Sequence, residues 1–396
     1  MTGQNPPDNP MGNATRSLVI PAFLIVVGAV VAFYGVLVTP ERTWPSLLLN
    51  GFYFSSLALS AVFFLAVTRL AGARWSAGLR RIPEAFIPAL PIAAVLMLVL
   101  YFGWHTLYPW SREGAFAHAS AIAGKARYLQ GPWVFLRMVC ALAAWSLFGW
   151  LFRRSSRHQD FHPELGLAMH DRLNRYSVFF VLVFAASLTM GAFDWLISLD
   201  PGWFSTMFAV YVFAGTFVQG IAAVTLGVVK FRERESLRDF ATPHHLHDLG
   251  KMLFAFSTFW AYIWVCQYLL IWYGNLPEEV SHYLKRTSGP WLWLFALNFI
   301  VNWIVPFLTL LPISAKCNPR VLRFVCLLLL VGHWLDLYML IMPETSASPK
   351  FGFPEVAMAA GYAALMYLIF MRSLRSAPIV PLHDPVLAYE RLHPAH

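Results

Sequence analysis

The stretch HDLGKMLFAFSTFWAYIWVCQYLLIWYGNLPEE, residues 247–279, decides the fold class. Its centre, residues 252–273, contains no charged side chain, and about 20 apolar residues are enough for a helix to cross a bilayer. Gly274, Asn275 and Pro277 then predict the end of this helix. The segment is therefore predicted to be a transmembrane helix.

One face of this helix differs from a uniformly aliphatic surface. Trp260, Trp264 and Gln267 recur at helical spacing, which places two indole rings and an amide on the same side. We therefore expect this face to contact protein rather than lipid.

Composition assigns the whole chain to the same class. Of 396 residues, 58% are hydrophobic and 12% are charged, against roughly 25% charged residues in soluble domains. In such a chain the net charge of +9 reflects orientation in the membrane, so a nucleic-acid partner is excluded. The four cysteines form no CxxC or CxxCH motif, so no metal or covalent haem site is predicted. We predict an all-α integral membrane protein that binds no cofactor directly.

Ten hydrophobic runs predict ten transmembrane helices. Loops on one side hold 21 of the 29 lysines and arginines, which predicts that both termini are cytoplasmic. We expect a disordered tail (1–16), a membrane domain (17–371) and an extended cytoplasmic tail (372–396). The longest outer loop contains His118 and is expected to contact a partner outside the membrane. The predicted spans are residues 17–38, 47–67, 86–104, 133–152, 177–199, 204–229, 252–273, 291–311, 321–342 and 354–371.

Ionisable residues inside spans are candidates for function because they are costly to bury in lipid. Span five contains Asp194, and span nine contains His333 and Asp336 on one face at i, i+3 spacing. All three lie in the predicted outer half, where they are able to exchange protons or hydrogen-bond a quinone. Alternatively, the carboxylates accept hydrogen bonds and hold helices together. Arg137 in span four is interpreted as a side chain that snorkels outward or pairs with a carboxylate.

A second group of charged residues lies at the cytoplasmic ends of the helices. Glu84 precedes span three, and Asp248 and Lys251 precede span seven. They are interpreted as a proton entrance, or else as helix-dipole and headgroup contacts. Haem b is not expected, because His333 is the one histidine well inside a predicted span and such a haem needs two.

Several blocks of the sequence resemble a known family. GAFDWLISLDP (191–201), LIWYGNLPEE (270–279) and HWLDLYMLIMPE (333–344) are similar to the ActF family of membrane subunits of alternative complex III. That complex is a bacterial quinol:cytochrome c or electron-acceptor oxidoreductase, and the family belongs to the NrfD/polysulfide-reductase-like superfamily. The resemblance extends over about residues 21–371. It implies ten helices, of which eight form two four-helix bundles and two are peripheral.

The resemblance also implies partners and roles. A paralogous NrfD-like subunit (ActC), iron–sulfur and multihaem cytochrome c subunits, lipid and a terminal oxidase are the expected partners in the bacterial inner membrane. Haem c and the clusters would be held by those subunits, while quinone is a possible ligand. By this resemblance, the first group of residues (Asp194, His333, Asp336) would belong to an outer half-channel, and the second (Glu84, Asp248, Lys251) to an inner one.

Three interpretations of the function remain open at this stage. The chain is either a proton-conducting and scaffolding subunit, a subunit that binds quinone directly, or a purely structural subunit. A secondary transporter is disfavoured, because in-span prolines, chiefly Pro306, are not paired between the two halves of the chain.

Overall fold

The computed structural model describes residues 16–112, 115, 124–232, 235–238, 240–381 and 384–387. Within this part the chain is all-α, and ten helices are long and apolar enough to cross a membrane. The predicted class, a multi-pass α-helical membrane protein, is confirmed. Residues 1–15 of the predicted N-terminal tail and His118 lie outside the described residues. The ten helices, α1 to α10, are Leu18–Val38, Pro40–Leu70, Arg81–Leu107, Gly131–Phe161, Pro163–Leu199, Phe208–Phe231, Pro243–Gly274, Trp291–Leu310, Pro319–Thr345 and Phe353–Arg375.

Eight of these helices form two closed bundles. In the first bundle, α2 contacts α3, α3 contacts α4, α4 contacts α5, and α5 returns to α2. The second bundle repeats this order with α6, α7, α8 and α9. Short connections favour such antiparallel neighbours. The arrangement agrees with two four-helix bundles and two peripheral helices.

The two bundles meet along α2 and α6. α2 also contacts α9 of the second bundle, and 94% of its most apolar window is buried, compared with 83% for α6 and 11% for α1. Helices that are apolar on all sides are expected at the centre of a membrane protein or facing lipid. Here α2 and α6 take the central position, and α1 lies at the periphery of the chain.

The peripheral helices α1 and α10 pack on each other and on α2. They approach most closely at two glycines. A Cβ atom added to Gly28 would lie 3.0 Å from the Cα of Gly361 and 3.0 Å from the carbonyl oxygen of Ala357. Small residues at such a crossing let two backbones come into contact, so a larger residue at either glycine would separate the helices.

Two transmembrane helices contain a π-helical turn. Ala192–Leu196 in α5 includes Asp194, and Ile300–Ile304 in α8 includes Asn302. Such turns re-aim side chains within a helix and occur frequently at functional sites. Both interruptions therefore coincide with polar residues that face the interior of a bundle.

α7 ends where the sequence predicts, but the segment after it forms an additional secondary-structure element. Asn275 closes the helix in a left-handed conformation (φ 47°), as Gly274, Asn275 and Pro277 predicted. Pro277 then begins a short helix, Pro277–Thr287, that was not predicted. The lysine and arginine distribution places this short helix on the outer side of the membrane.

The domain boundaries inferred from the sequence stay predictions, with one change near the C-terminus. α10 continues to Arg375, four residues beyond its predicted end. Asp384 and Leu387 are each 2% exposed. The described part of the predicted extended tail therefore packs against the bundles instead of extending into solvent, because it buries both an apolar side chain and a paired carboxylate.

Candidate functional site

A buried carboxylate lies at the centre of the outer half of the second bundle. Asp336 in α9 is 5% exposed. It accepts hydrogen bonds from Trp260 Nε1 at 3.1 Å, from Asn298 Nδ2 at 2.8 Å and from the hydroxyl group of Tyr211. These donors come from α7, α8 and α6, so each helix of the bundle contributes one residue. All three are neutral donors, and the His333 ring lies beyond them, with its Nδ1 3.9 Å from Asp336 Oδ2.

His333 is buried beside this carboxylate without a hydrogen bond of its own. Its side chain is 2% exposed, and neither ring nitrogen has a partner among the described residues. Its ring meets the Trp260 indole edge-on at 5.5 Å. Leaving a buried polar group unpaired costs roughly 1–3 kcal/mol. Gly215 lies opposite, where an added Cβ atom would be 3.5 Å from His333 Nδ1 and 3.6 Å from Asp336 Oδ2.

A small cavity of about 30 Å³ adjoins Asp336 on its outer side. A water molecule needs roughly 10–15 Å³ by this measure, so the cavity accommodates about two waters. Sites for organic ligands are larger, roughly 300–1,000 Å³, so this space does not accept a quinone ring. Polar and charged side chains in its lining are Tyr211, Gln267, His282, Tyr283, Arg286, Asn298 and Asp336.

A cluster of charged side chains lies at the outer end of this cavity. Glu344 at the end of α9 accepts hydrogen bonds from Arg286 Nη1 at 2.9 Å and from Lys285 Nζ at 2.6 Å. Lys285 also donates to Asp200 Oδ2 at 2.8 Å. His282 Nδ1 lies 3.5 Å from Glu344 Oε1. The short helix Pro277–Thr287 thus brings three basic residues to two carboxylates above Asp336.

His282 is neutral in this cluster. Burial, together with the positive charge of Arg286, lowers its pKa to about 3, although Glu344 acts in the opposite direction. Its ring stacks on the Trp203 indole at 3.9 Å with an interplanar angle of 11°. His282 is therefore a buried neutral imidazole between the outer surface and the Asp336 cavity.

Sequence reasoning missed this outer cluster. From the sequence, Gly274, Asn275 and Pro277 predict only the end of α7, and no helix is predicted after it. A signal was present, because acidic residues in the first turn (Glu278, Glu279) and basic residues in the last turn (Lys285, Arg286) are typical of a short helix that complements its dipole.

Asp194 belongs to a different environment from Asp336. It lies in the first bundle and accepts two hydrogen bonds from Arg137, from Nε at 2.7 Å and from Nη2 at 3.1 Å. The guanidinium also lies 4.1 Å from the centre of the Tyr128 ring. The structure therefore does not bring Asp194 together with His333 and Asp336 as the sequence suggested, because Arg137 on the neighbouring helix takes both carboxylate oxygens.

The candidate residues at the cytoplasmic ends of the helices do not lie together either. Glu84 in α3 is buried, and it accepts hydrogen bonds from Arg81 Nη1 at 2.6 Å and from Ser156 Oγ at 2.5 Å. Asp248 and Lys251 form a surface pair at 2.6 Å on α7, with side chains 28% and 56% exposed. The two groups belong to different bundles, so they do not form one constellation. A role in proton conduction stays a prediction for both groups of residues.

Neither a search for metal ligands nor comparison with known proteins assigns a function to this site. Among the described residues, no group of three or more histidine, cysteine, aspartate or glutamate side chains is placed to hold a metal ion. Comparison of the sequence with known protein families and with curated proteins finds no match.

Proposed function

We propose that this chain is a membrane subunit of a bacterial quinol:electron-acceptor oxidoreductase of the alternative complex III type, situated in the inner membrane. This part of the proposal is supported by the ActF-like blocks around Asp194, in residues 270–279 and around Asp336. In such a complex, the iron–sulfur clusters and c-type haems would belong to partner subunits, next to a paralogous quinol-oxidising subunit. This chain would perform no redox chemistry of its own.

Its own task, we further propose, is to exchange protons between the second bundle and the outer side. One observation carries this proposal: Asp336 is held by neutral donors, and both nitrogens of the adjacent His333 are unpaired. A buried carboxylate without a fixed counter-charge gains a proton at lower cost than one locked to an arginine. Imidazole and carboxylate groups relay protons through bridging water.

The proposed route starts at His333. The 3.9 Å between His333 Nδ1 and Asp336 Oδ2 is longer than a hydrogen bond, so a proton passing between them would need a bridging water. From Asp336 the route continues into the small outer cavity and reaches His282 and its charged neighbours. On this route no step needs a quinone at Asp336.

Direct quinone binding is a second candidate, favoured by a different observation. An apolar cleft of about 350 Å³ lies between α1, α2, α3 and α10, within the size range of organic-ligand sites. Phe33, Trp44 and Tyr362 are among its lining residues. A quinone bound there would be held by the peripheral helices and not by Asp336. Photo-crosslinking with an azido-quinone would label these helices if this candidate is correct.

The test of the proton proposal uses the intact complex in proteoliposomes. Asp336→Asn keeps the size of the side chain but removes the exchangeable proton. Glu41→Gln makes the corresponding acid-to-amide change at an exposed position of α2 and serves as the control. We expect normal assembly and quinol turnover in both variants, with proton release reduced at least ten-fold for Asp336→Asn and unchanged for Glu41→Gln.

Other outcomes separate the alternatives. Unchanged proton release in assembled Asp336→Asn complexes would refute the proton role and leave the cluster structural. A loss of quinol affinity alone would favour direct quinone binding. If turnover with quinol and cytochrome c is absent from the wild-type complex, the assignment to this class of complex is wrong.

A further inference from the structure

A cavity at the cytoplasmic ends of the first bundle is large and basic. Its volume is about 170 Å³, more than ten times what a single water requires, roughly 10–15 Å³. It lies between the end of α2, the following 3₁₀ turn Arg74–Leu79, α5 and the C-terminal segment. Its titratable lining residues are Arg69, Arg74, Arg80, His170 and Asp384. Three arginines therefore face one carboxylate among the described lining residues.

The arginines of this cavity differ in how they are paired. Arg80 is 3% exposed and is held by Asp384, by Gln159 Oε1 at 3.0 Å and by Glu84 at 3.6 Å. Arg69 has no carboxylate within ion-pair distance among the described residues, and its recorded partner is His170 Nδ1 at 3.2 Å. A guanidinium carries five N–H donors. Arg69 therefore brings unused donors, and a charge with no carboxylate in direct contact among the described residues, to the cavity wall.

The position of Arg69 in the last turn of α2 does not account for this arrangement. A basic residue there offsets the negative end of the helix dipole, and it often bonds the last carbonyl groups. Here those carbonyl groups already have partners, since Val67, Thr68 and Arg69 accept from the backbone N–H groups of Ala71, Ala73 and Gly72. The Arg69 side chain bonds across to α5 instead.

We propose that this cavity binds a phosphate group. The planar guanidinium group of arginine, with its parallel N–H donors, matches the oxygens of a phosphate in charge and in geometry. Basic pockets between transmembrane helices on the cytoplasmic side suit the headgroups of anionic lipids. The phosphodiester of an anionic phospholipid and free inorganic phosphate share this chemistry. Asp384, from the C-terminal segment, competes with the phosphate for Arg80.

Binding is measured on the purified full-length chain, in two arms. Native mass spectrometry compares phosphatidylglycerol with the zwitterionic phosphatidylcholine, and thermal stability is followed against inorganic phosphate. Arg69→Gln is compared with Arg172→Gln, which changes an exposed arginine of α5 outside the cavity lining. We expect Arg69→Gln to weaken phosphate-group binding about five-fold, with Arg172→Gln close to wild type. Preference for phosphatidylglycerol identifies a lipid headgroup, and an equal response to inorganic phosphate identifies a free anion.

Asp384→Asn provides a second variant that acts in the opposite direction. Removing this carboxylate releases Arg80 and should tighten phosphate binding several-fold, an effect that a purely structural role for Asp384 would not produce. Equal affinities in wild type, Arg69→Gln and Asp384→Asn would overturn the proposal. So would weaker binding in Arg172→Gln than in Arg69→Gln, because the site would then lie elsewhere on the surface.

Discussion

The two bundles contain comparable carboxylates in contrasting surroundings. In each bundle, the fourth helix carries a buried aspartate in its outer half and the third helix supplies a donor. In the first bundle the donor is the charged Arg137, which binds Asp194 through two nitrogens. In the second bundle it is the neutral Asn298, which shares Asp336 with Tyr211 and Trp260.

This contrast indicates a division of labour. An arginine that binds both oxygens fixes a carboxylate in its charged form and links two helices. A carboxylate held by neutral donors has no such fixed charge partner. Under the function proposed above, the first bundle would use its buried charge for structure, and the second would exchange protons.

The largest expected effect comes from breaking the charged pair. Arg137→Met should leave Asp194 buried, 1% exposed, without its counter-charge, and should lower the free energy of unfolding by about 3–5 kcal/mol. Thermal unfolding in detergent measures this change. The Arg137→Met, Asp194→Asn double variant should recover part of the stability, and an Arg323→Met control on the exposed face of α9 should resemble wild type. Equal stability of the single and double variants would mean that the pair does not fix Asp194.

A smaller effect is expected from removing one neutral donor. Tyr211→Phe deletes the hydroxyl bond to Asp336 and should lower the free energy of unfolding by about 1.5–3 kcal/mol, the usual contribution of a hydrogen bond to a charged group. Chemical denaturation of the two proteins measures this difference. Equal stability of Tyr211→Phe and wild type would mean that the hydroxyl group does not hold Asp336, which would weaken the contrast with Asp194.

The smallest expected effect is a pH dependence that arises at the outer cluster. His282 has its pKa lowered to about 3 by burial and Arg286, while an unfolded chain binds a proton at about 6.5. Between these values the unfolded state binds more protons, so stability falls as the pH falls, by at most about 1.4 kcal/mol per unit. Comparing unfolding of wild type and His282→Gln at pH 7.0 and 5.5 should reveal about 1 kcal/mol of this dependence. The same dependence in both proteins would assign it to other groups.

Much of the fold was readable from local patterns. Hydrophobic runs of about 20 residues located all ten helices, and the left-handed Asn275 ended α7 where the sequence predicted. The i, i+3 spacing also placed His333 and Asp336 on one face of a helix, and both are buried there. The Trp260 and Gln267 face of α7 points into protein, as its aromatic and amide content predicted.

The grouping of the candidate residues was not readable in the same way. Spacing within one helix says nothing about which helix lies opposite, so it did not separate Asp194 from Asp336. The partner of Asp194 lies 57 residues away in α4, and the donors to Asp336 come from three other helices. The outer cluster was hidden for another reason, because a short amphipathic helix between two spans looks like a polar loop when only hydrophobic runs are examined.

The contact between α1 and α10 has a consequence for biosynthesis. α1 is synthesised before the other nine described spans, yet its packing partner across Gly28 and Gly361 is the last of the ten. Contacts between distant parts of a chain form late in folding. α1 must therefore wait for α10, and closure of this helix pair would mark the point at which all ten spans have been synthesised.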